Sequence, residues 1–342
     1  MKITHLIFGL GLGGIETMLV NIANEQTKKE QVSIVIINDS YDNDLINKIS
    51  SKIKIIYLHR KLKSLNPFPL LKLNWLLIYL QPDIIHIHAP KIGKFMFPIF
   101  RHKIIYTIHD VGIDSKYFKY YRHFCAISKC VQMDVKSRLE IDATLIYNGI
   151  DLTEIKVKSK SSDKFRIVQI SRLMHEKKGQ DILIKAVALL RKKGINNICV
   201  DFIGEGKSYE YLLGLIQLLQ LGNISLLGAK PYSYVKKHLC DYDLLVQPSR
   251  FEGFGLTVAE GMAAKIPVLV SANEGPMEII DNGKYGFYFK NGNVEDCANQ
   301  IEKIMNFYDS VFIEEAYEYV RENFSVVKTA QKYIREYQKV LQ

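Results

Sequence analysis

Short runs of Ile, Val and Leu recur along this chain, and between them apolar positions return every three or four residues. Residues 3–10, 32–38, 52–58, 83–89 and 103–109 are almost continuously apolar. That is the pattern of parallel strands buried on both faces. Residues 15–29 read as the helix after the first strand, and 126–129 and 143–150 close the series. Strand alternating with helix implies a doubly wound α/β domain. Residues 153–164 are polar and charged with no apolar period, which marks a linker. A second series follows, with strands at 165–171, 198–204, 224–228, 244–249, 267–271 and 286–290. Helices at 179–193, 207–221, 231–240, 256–264 and 294–306 separate them, and 326–342 forms a last helix. The expected architecture is α/β, with two Rossmann-like domains, 1–152 and 153–325, facing across a cleft. The helix 326–342 is expected to cross back onto the first domain. Ligands of such sheets bind at the carboxyl ends of the strands.

Composition narrows the class. The 342 residues suit two domains, and 48% hydrophobic with 24% charged residues is globular. The five cysteines, Cys125, Cys130, Cys199, Cys240 and Cys297, are odd in number and never spaced C-x-x-C, so reduced buried thiols are expected. The first apolar run is short, breaks into glycines and lacks a small-residue cleavage site, so it reads as a strand rather than a secretory leader. No apolar run approaches the ~18 residues of a membrane span, which suggests a cytoplasmic protein. The net charge of +10 favours a polyanionic partner: nucleic acid, an anionic membrane or a phosphorylated ligand. No nucleic-acid module is recognisable, so nucleic acid is not expected.

Gly9-Leu10-Gly11-Leu12-Gly13-Gly14 follows the first strand and opens a helix. Read as G-x-G-x-x-G it fits a dinucleotide fingerprint, with Asp39 as the acidic residue after the second strand. A nicotinamide dehydrogenase is therefore one reading, and a ligand-free tight turn is another. Neither explains the richer second half.

That half carries four pieces in order. Arg172 ends a strand, and Lys177, Lys178 and Gly179 precede a helix, so fixed cations lie beside a helix N-terminus where a diphosphate gaining charge would be stabilised. Gly204 and Gly206 end a second strand, and Gly228 to Lys230 follow a third, as turns able to line a base. Next comes Glu252, then Phe254, Gly255, Leu256 and Thr257, then Glu260 early in a helix. That run supplies backbone N–H donors at the helix start, flanked by carboxylates for hydroxyl recognition. Asn273 to Glu278 add a fourth turn at the same edge.

These motifs resemble glycosyltransferase family 4, a large family of retaining, nucleotide-sugar-dependent transferases with the GT-B fold. The resemblance covers nearly the whole chain. Gly13, Gly14 and Glu16 look like its GGxE turn; Tyr147-Asn148-Gly149-Ile150-Asp151 looks like its P-N-G-[IV]-D, with tyrosine for proline; Phe324-Ser325 with Tyr333 and Tyr337 looks like its crossing helix. One extra residue separates Arg172 from Gly179, so either Lys177 or Lys178 takes the family's lysine role, with Lys178 preferred by counting back from the helix. The resemblance implies that Arg172 and that lysine hold the donor diphosphate without a metal. It implies that Glu252 contacts the transferred sugar near its C3 hydroxyl and that Glu260 binds the ribose. The amides of Phe254, Gly255 and Leu256 meet sugar and phosphate oxygens, and Gly14 lets the first domain close over the diphosphate. His109 contacts the donor sugar near the reacting centre. His88 is either an acceptor contact, as is Glu16, or a hydrogen-bonded core histidine. Asp42-Asn43-Asp44 superficially matches the metal motif of the other glycosyltransferase fold, but reads as a solvated turn. No cofactor is expected.

Residues 61–81, 91–97 and 116–124 mix basic and aromatic side chains around Trp75. This suits an anionic lipid interface and a lipid-linked or glycan acceptor, with the protein peripheral on the inner face of the membrane. An ordinary core helix with solvated lysines is the plainer reading. A nucleotide-sugar-binding subunit without activity is the competing functional class.

Overall fold

A computed structural model describes residues 1–11, 13–153, 155–158, 164–272, 274–306 and 309–342. The residues of the expected linker at 154 and 159–163, and Asn273 of the fourth turn, lie outside these. The chain divides into two compact units, Met1–Asp151 with Ser325–Gln342, and Leu152–Phe324.

The first unit holds strands β1 (Lys2–Ile7), β2 (Gln31–Asn38), β3 (Lys54–Arg60), β4 (Ile84–Ile87), β5 (Ile104–Ile108), β6 (His123–Ala126) and β7 (Thr144–Leu145). Its helices are α1 (Gly14–Gln26), α2 (Asn43–Asn47), α3 (Phe68–Leu80) and α4 (Lys129–Leu139). The strands form one parallel sheet in the order β3-β2-β1-β4-β5-β6-β7. The order reverses between β1 and β4, where open α/β sheets bind ligands.

The second unit holds β8 (Phe165–Ile170), β9 (Ile198–Ile203), β10 (Ile224–Leu226), β11 (Leu244–Gln247), β12 (Val268–Ser271) and β13 (Phe287–Phe289). Between and after them lie α5 (His175–Lys178), α6 (Gln180–Lys192), α7 (Tyr209–Leu218), α8 (Tyr232–His238), α9 (Leu256–Ala263), α10 (Glu274–Ile279), α11 (Val294–Met305) and α12 (Ser310–Asn323). The parallel order is β10-β9-β8-β11-β12-β13, reversing between β8 and β11. Ile167, Val200, Phe202, Val246 and Leu269 of the sheet pack with Leu183, Val187 and Ile301 into one buried core.

The last helix, α13 (Val326–Leu341), belongs to the first unit, where Val326, Ala330, Tyr333 and Tyr337 pack on Ile3, Met18 and Ile22. Gly149 explains its seat. A Cβ there would lie 2.5 Å from Thr329 Oγ1 and 2.6 Å from Val326 Cα, closer than real side chains come. Val326 N–H donates to Ile150 O at 2.9 Å, and Thr329 Oγ1 donates to Tyr147 O at 2.9 Å. The chain around Gly149 is thus a landing strip for α13, and β7 stops at Leu145 instead of running to residue 150. The remaining described linker residues are tied to the second unit, Lys156 N–H to Lys236 O at 3.1 Å and Lys158 N–H to Ala264 O at 2.9 Å.

Candidate functional site

The chain after β8 and the chain after β11 lie side by side at the switch point of the second sheet. Gly179 sits between α5 and α6 with φ +66°, and a Cβ there would overlap the Pro248 carbonyl oxygen. Only glycine meets both demands. Side-chain amides then clip the loops together. Gln169 Nε2 donates to Lys178 O at 2.8 Å, Gln180 Nε2 donates to Arg172 O at 2.9 Å, and Arg250 N–H donates to Lys177 O at 2.8 Å. A bidentate pair reinforces the clip: Arg250 Nη1 and Nη2 reach Asp181 Oδ1 and Oδ2 at 2.8 and 2.9 Å. Burial opposes the Asp181 charge, but Arg250 and Lys185 overcome it and hold the carboxyl below its usual range.

Within this frame Lys178 Nζ donates to Glu252 Oε2 at 2.5 Å, and Gln247 Nε2 donates to the same oxygen at 3.1 Å. The extra residue between Arg172 and Gly179 is absorbed in the single turn of α5. That turn sends the Lys178 side chain to Glu252, while the Lys177 carbonyl holds the backbone of Arg250 and Phe251. Arg172 is exposed, and its guanidinium makes no hydrogen bond or ion pair with any described residue. An uncommitted guanidinium and an ammonium shared with a carboxylate can together receive an anion.

Gly255, with φ +98°, caps α9, whose first N–H groups, those of Leu256 and Thr257, have no partner within the helix. Phe254 is buried and packs edge-on against Phe324 at 5.7 Å, so its side chain is structural and only its backbone faces the loop. Thr257 Oγ1 donates to Gln247 Oε1 at 3.3 Å. Glu260 is 6% exposed. Burial lifts its pKa from 4.5 to about 7, against the opposing pull of Tyr232 and Lys236. The folded chain therefore holds this proton more tightly than the unfolded chain does. The penalty is absent below about pH 4.5 and grows as pH rises through about 7. Glu260→Gln is expected to flatten the fall in Tm across that window; an unchanged Tm profile would show that Glu260 does not keep its proton through burial.

At the neighbouring turns, Gly204 N–H donates to Gly228 O at 2.9 Å, and half-buried Lys230 lies over the Tyr234 ring at 5.7 Å.

The first unit shows how its own expected residues lie. Gly13 caps α1, and the Glu16 carboxylate folds back over it; Gly14 is exposed at the start of the helix. Asp42 caps α2 by accepting from Leu45 N–H at 2.9 Å, so the Asp42-Asn43-Asp44 turn has a structural use. Asp39 is paired with His59 at 3.1 Å. His109 follows β5 and is half-buried, with its Nδ1 atom enclosed. His88, 3% exposed, touches His5 and His109 rather than solvent. His5, His86 and His88 bring one nitrogen each within 4.8 Å of one another. Every one of their ring nitrogens is already hydrogen-bonded, to Gln26, Tyr337, Thr107, His109 or one another.

Known proteins resemble this chain in sequence and fold. Residues 151–323 match the family described as glycosyl transferases group 1, and residues 12–154 match glycosyltransferase family 4. The chain belongs to the group 1 glycosyl transferases. An uncharacterised glycosyltransferase of Methanocaldococcus jannaschii is 31% identical over 182 residues, 53% of this chain and 48% of that protein. The chain spans about half or less of the length of the first curated relatives it matches, at 48%, 24% and 36%. The capsular polysaccharide biosynthesis glycosyltransferase CapM of Staphylococcus aureus is 25% identical over 299 residues, 78% of this chain and 77% of its own. Among solved structures, Anabaena HepE in complex with UDP-glucose superposes with a TM-score of 0.83 at 21% identity, covering 99% of this chain and 100% of that one. The two parallel sheets and the returning helix are the GT-B fold of these transferases.

As a group 1 glycosyl transferase, the chain gathers Arg172, Lys178, Glu252, Gly255, Leu256 and Thr257 along two adjoining loops of the second unit. Glu260 lies under them, and Lys230 and Gly204 lie on neighbouring strand ends. His88, His109, Gly13, Gly14 and Glu16 lie in the first unit. Sequence reasoning missed the glutamines Gln169, Gln180 and Gln247, the Arg250–Asp181 pair, and the partners of the histidines. Glutamines at the ends of buried apolar runs, as in 165–170 and 244–247, were the available signal.

Proposed function

We propose that this chain is a retaining glycosyltransferase that moves a hexose-type sugar from a nucleotide-sugar, with uridine diphosphate as its nucleotide, to a glycan or lipid-linked acceptor in cell-surface polysaccharide or glycolipid synthesis. The observation that carries this reading is the cationic, amide-rimmed switch point of the second sheet: exposed Arg172, Lys178 beside Glu252, and the first turn of α9. The names of CapM, a capsular polysaccharide enzyme, and of HepE, bound to UDP-glucose, support the same substrate class.

In this reading the bond from sugar C1 to the β-phosphate oxygen breaks while the acceptor oxygen bonds to C1 on the same face. The acceptor's proton passes to the departing phosphate oxygen, so no separate base is needed. Negative charge builds on the diphosphate as it leaves, and Arg172 and Lys178 stabilise that charge more than the intact donor's. The same two cations supply what a divalent metal would, so activity is expected to survive chelation. Glu252 is released from Lys178 to accept a sugar hydroxyl, Glu260 takes the ribose, and Gly14, Phe254, Gly255 and Leu256 offer backbone to donor oxygens. His109 contacts the donor sugar. A panel of nucleotide-sugars, scored for diphosphate release with chelator and with lipid-diphosphate or glycan acceptors, tests the reading. Product anomeric configuration reports retention. Nucleotide binding without any release would instead make the chain a silent binding subunit.

The acceptor side includes α3. Phe68, Leu71, Trp75, Ile78 and Tyr79 are exposed on it, Trp75 at 66%, with Lys72, and Leu62 and Leu65 are exposed beside Lys61 and Lys63 in the segment before it. No helix of the described residues is long and apolar enough to cross a membrane. A half-apolar, half-basic surface of this kind suits shallow docking on anionic lipid at the inner face of the cytoplasmic membrane. Trp75 is the single tryptophan, so fluorescence reports α3 directly. Anionic vesicles at low salt should shift its emission to the blue, and neutral vesicles should not. Unchanged emission together with no co-sedimentation would remove the membrane from the account.

A further inference from the structure

Eight side chains of the first unit form one continuous hydrogen-bonded chain, buried except at half-buried His109. His109 Nε2 meets His88 Nδ1 at 3.4 Å, and His88 Nε2 meets His5 Nδ1 at 3.1 Å. His5 Nε2 meets Gln26 Oε1 at 2.8 Å, and Gln26 Nε2 donates to Tyr337 OH at 3.1 Å. Tyr337 OH meets His86 Nδ1 at 2.7 Å, His86 Nε2 meets Thr107 Oγ1 at 2.7 Å, and Thr107 ends on Tyr333 OH at 3.0 Å. The strand register brings His5 opposite His86, and α13 supplies both tyrosines.

Burial sets the charge state of the rings. It lowers His5 to about 4 and His109 to about 3, and drives His86 and His88 well below their usual value. Each ring is therefore neutral near pH 7 and carries one N–H. With Gln26 Oε1 facing His5 and Nε2 facing Tyr337, the donor directions follow. Gln26 Oε1 can only accept, so His5 holds its proton on Nε2 and leaves Nδ1 bare. Bare Nδ1 of His5 requires the proton of His88 on Nε2, and bare Nδ1 of His88 requires that of His109 on Nε2. In the other direction, Tyr337 accepts from Gln26 and donates to His86 Nδ1, which places the His86 proton on Nε2. One ring atom ends the series: His109 Nδ1, buried and without a hydrogen-bond partner. Turning the Gln26 amide over would reverse every donor and leave an N–H there instead of a lone pair. Orphaned buried N–H groups are the rarer and costlier of the two.

We propose that Gln26, held by Tyr337 of the C-terminal helix, sets the tautomer of His109 through His5 and His88, so that His109 presents a bare Nδ1 that accepts a hydrogen bond from a substrate hydroxyl. The substrate part rests on the function proposed above; the tautomer part does not. His5, His88, Gln26 and Tyr337 are positioning residues, and His109 alone makes the contact. The same chain of bonds accounts for every nitrogen of the His5, His86 and His88 trio, which a metal ion would have to break.

Nitrogen-15 NMR of histidine-labelled protein, with His5, His88 and His109 assigned by single substitution, reads the tautomers without any substrate. All three are expected as neutral rings protonated on Nε2. In Tyr337→Phe, which keeps the ring and its packing, and in Gln26→Leu, the His109 signals should move towards a tautomer mixture. Turnover in both variants should fall roughly tenfold, with KM for the nucleotide-sugar within about twofold. Tm checks that each variant is folded, and the less intrusive Tyr337→Phe decides if Gln26→Leu is not. A His109 protonated on Nδ1 in the unaltered protein would overturn the tautomer assignment, as would zinc shifting the His5, His86 and His88 signals together. A tautomer change in folded variants with unaltered turnover would overturn the link to the substrate.

Discussion

Lys178→Met is expected to lower the turnover of sugar transfer about a thousandfold, a loss of roughly 4 kcal/mol of transition-state stabilisation. Methionine keeps the length of the side chain and removes the ammonium. The donor ground state loses little, because Lys178 is engaged by Glu252 at 2.5 Å before a donor arrives. The departing diphosphate loses a fixed cation when its charge is greatest, so kcat should fall far more than KM rises. The variant also strands Glu252, whose side chain is only 15% exposed, beside Gln247 and Ser249. Some loss of stability is therefore expected from the substitution alone. Lys178→Met combined with Glu252→Gln separates the two effects. Stability should return toward that of the unaltered protein while turnover stays low. Recovery of turnover in the double variant would mean that Lys178 serves only to neutralise Glu252. Lys177→Met should cost much less, because it keeps the Lys177 backbone carbonyl that holds the Arg250 loop.

Gly179→Ala is expected to destabilise the second unit by roughly 3–4 kcal/mol, seen as a lower urea midpoint. A left-handed φ of +66° costs a non-glycine residue about 1–2 kcal/mol. The new methyl also meets the Pro248 carbonyl, and overpacking of that kind adds about 1–3 kcal/mol. The two loops can separate only by breaking the bonds from Gln169 to Lys178 O and from Arg250 to Lys177 O. Loss of diphosphate affinity should accompany the loss of stability, since both loops carry the site. Gly194→Ala is a control: its φ is also positive, at +85°, but no atom lies within 4 Å of a Cβ there, so it should carry the backbone penalty alone. If Gly179→Ala and Gly194→Ala melted alike, the close approach of Pro248 would not be real.

The strands were legible because both sheets are parallel and covered, so each strand is a continuous apolar run that periodicity finds directly. Errors fell where a neighbour took over the backbone. Residues 126–129 looked like a strand, but Ser128 accepts from Val131 N–H at 3.1 Å and starts α4, so the strand is His123–Ala126 instead. At residues 146–150 the apolar pattern continues, yet α13 occupies the hydrogen-bonding edge. The charged residues of the second unit were legible as a set because turn glycines and helix starts fix their spacing. Their partners were not. Asp181 and Arg250 are 69 residues apart, and Gln26 and Tyr337 are 311 apart. No local pattern joins residues that meet only when distant strands align. The reading of His88 as a hydrogen-bonded core histidine hinted at the histidine chain, and His5, a polar ring within an apolar run, was a second hint.

Calorimetric titration with UDP and UMP, on the unaltered chain and on Arg172→Ala, addresses the cationic switch point most directly. The Arg172 guanidinium has no partner among the described residues, so its removal disturbs little of the fold. UDP should bind more tightly than UMP, and Arg172→Ala should weaken UDP at least about tenfold while hardly changing UMP, as expected for one charge-assisted contact to the second phosphate. Equal UDP affinity with and without Arg172, or no UDP binding at all, would contradict a diphosphate cradle at the junction of β8 and β11.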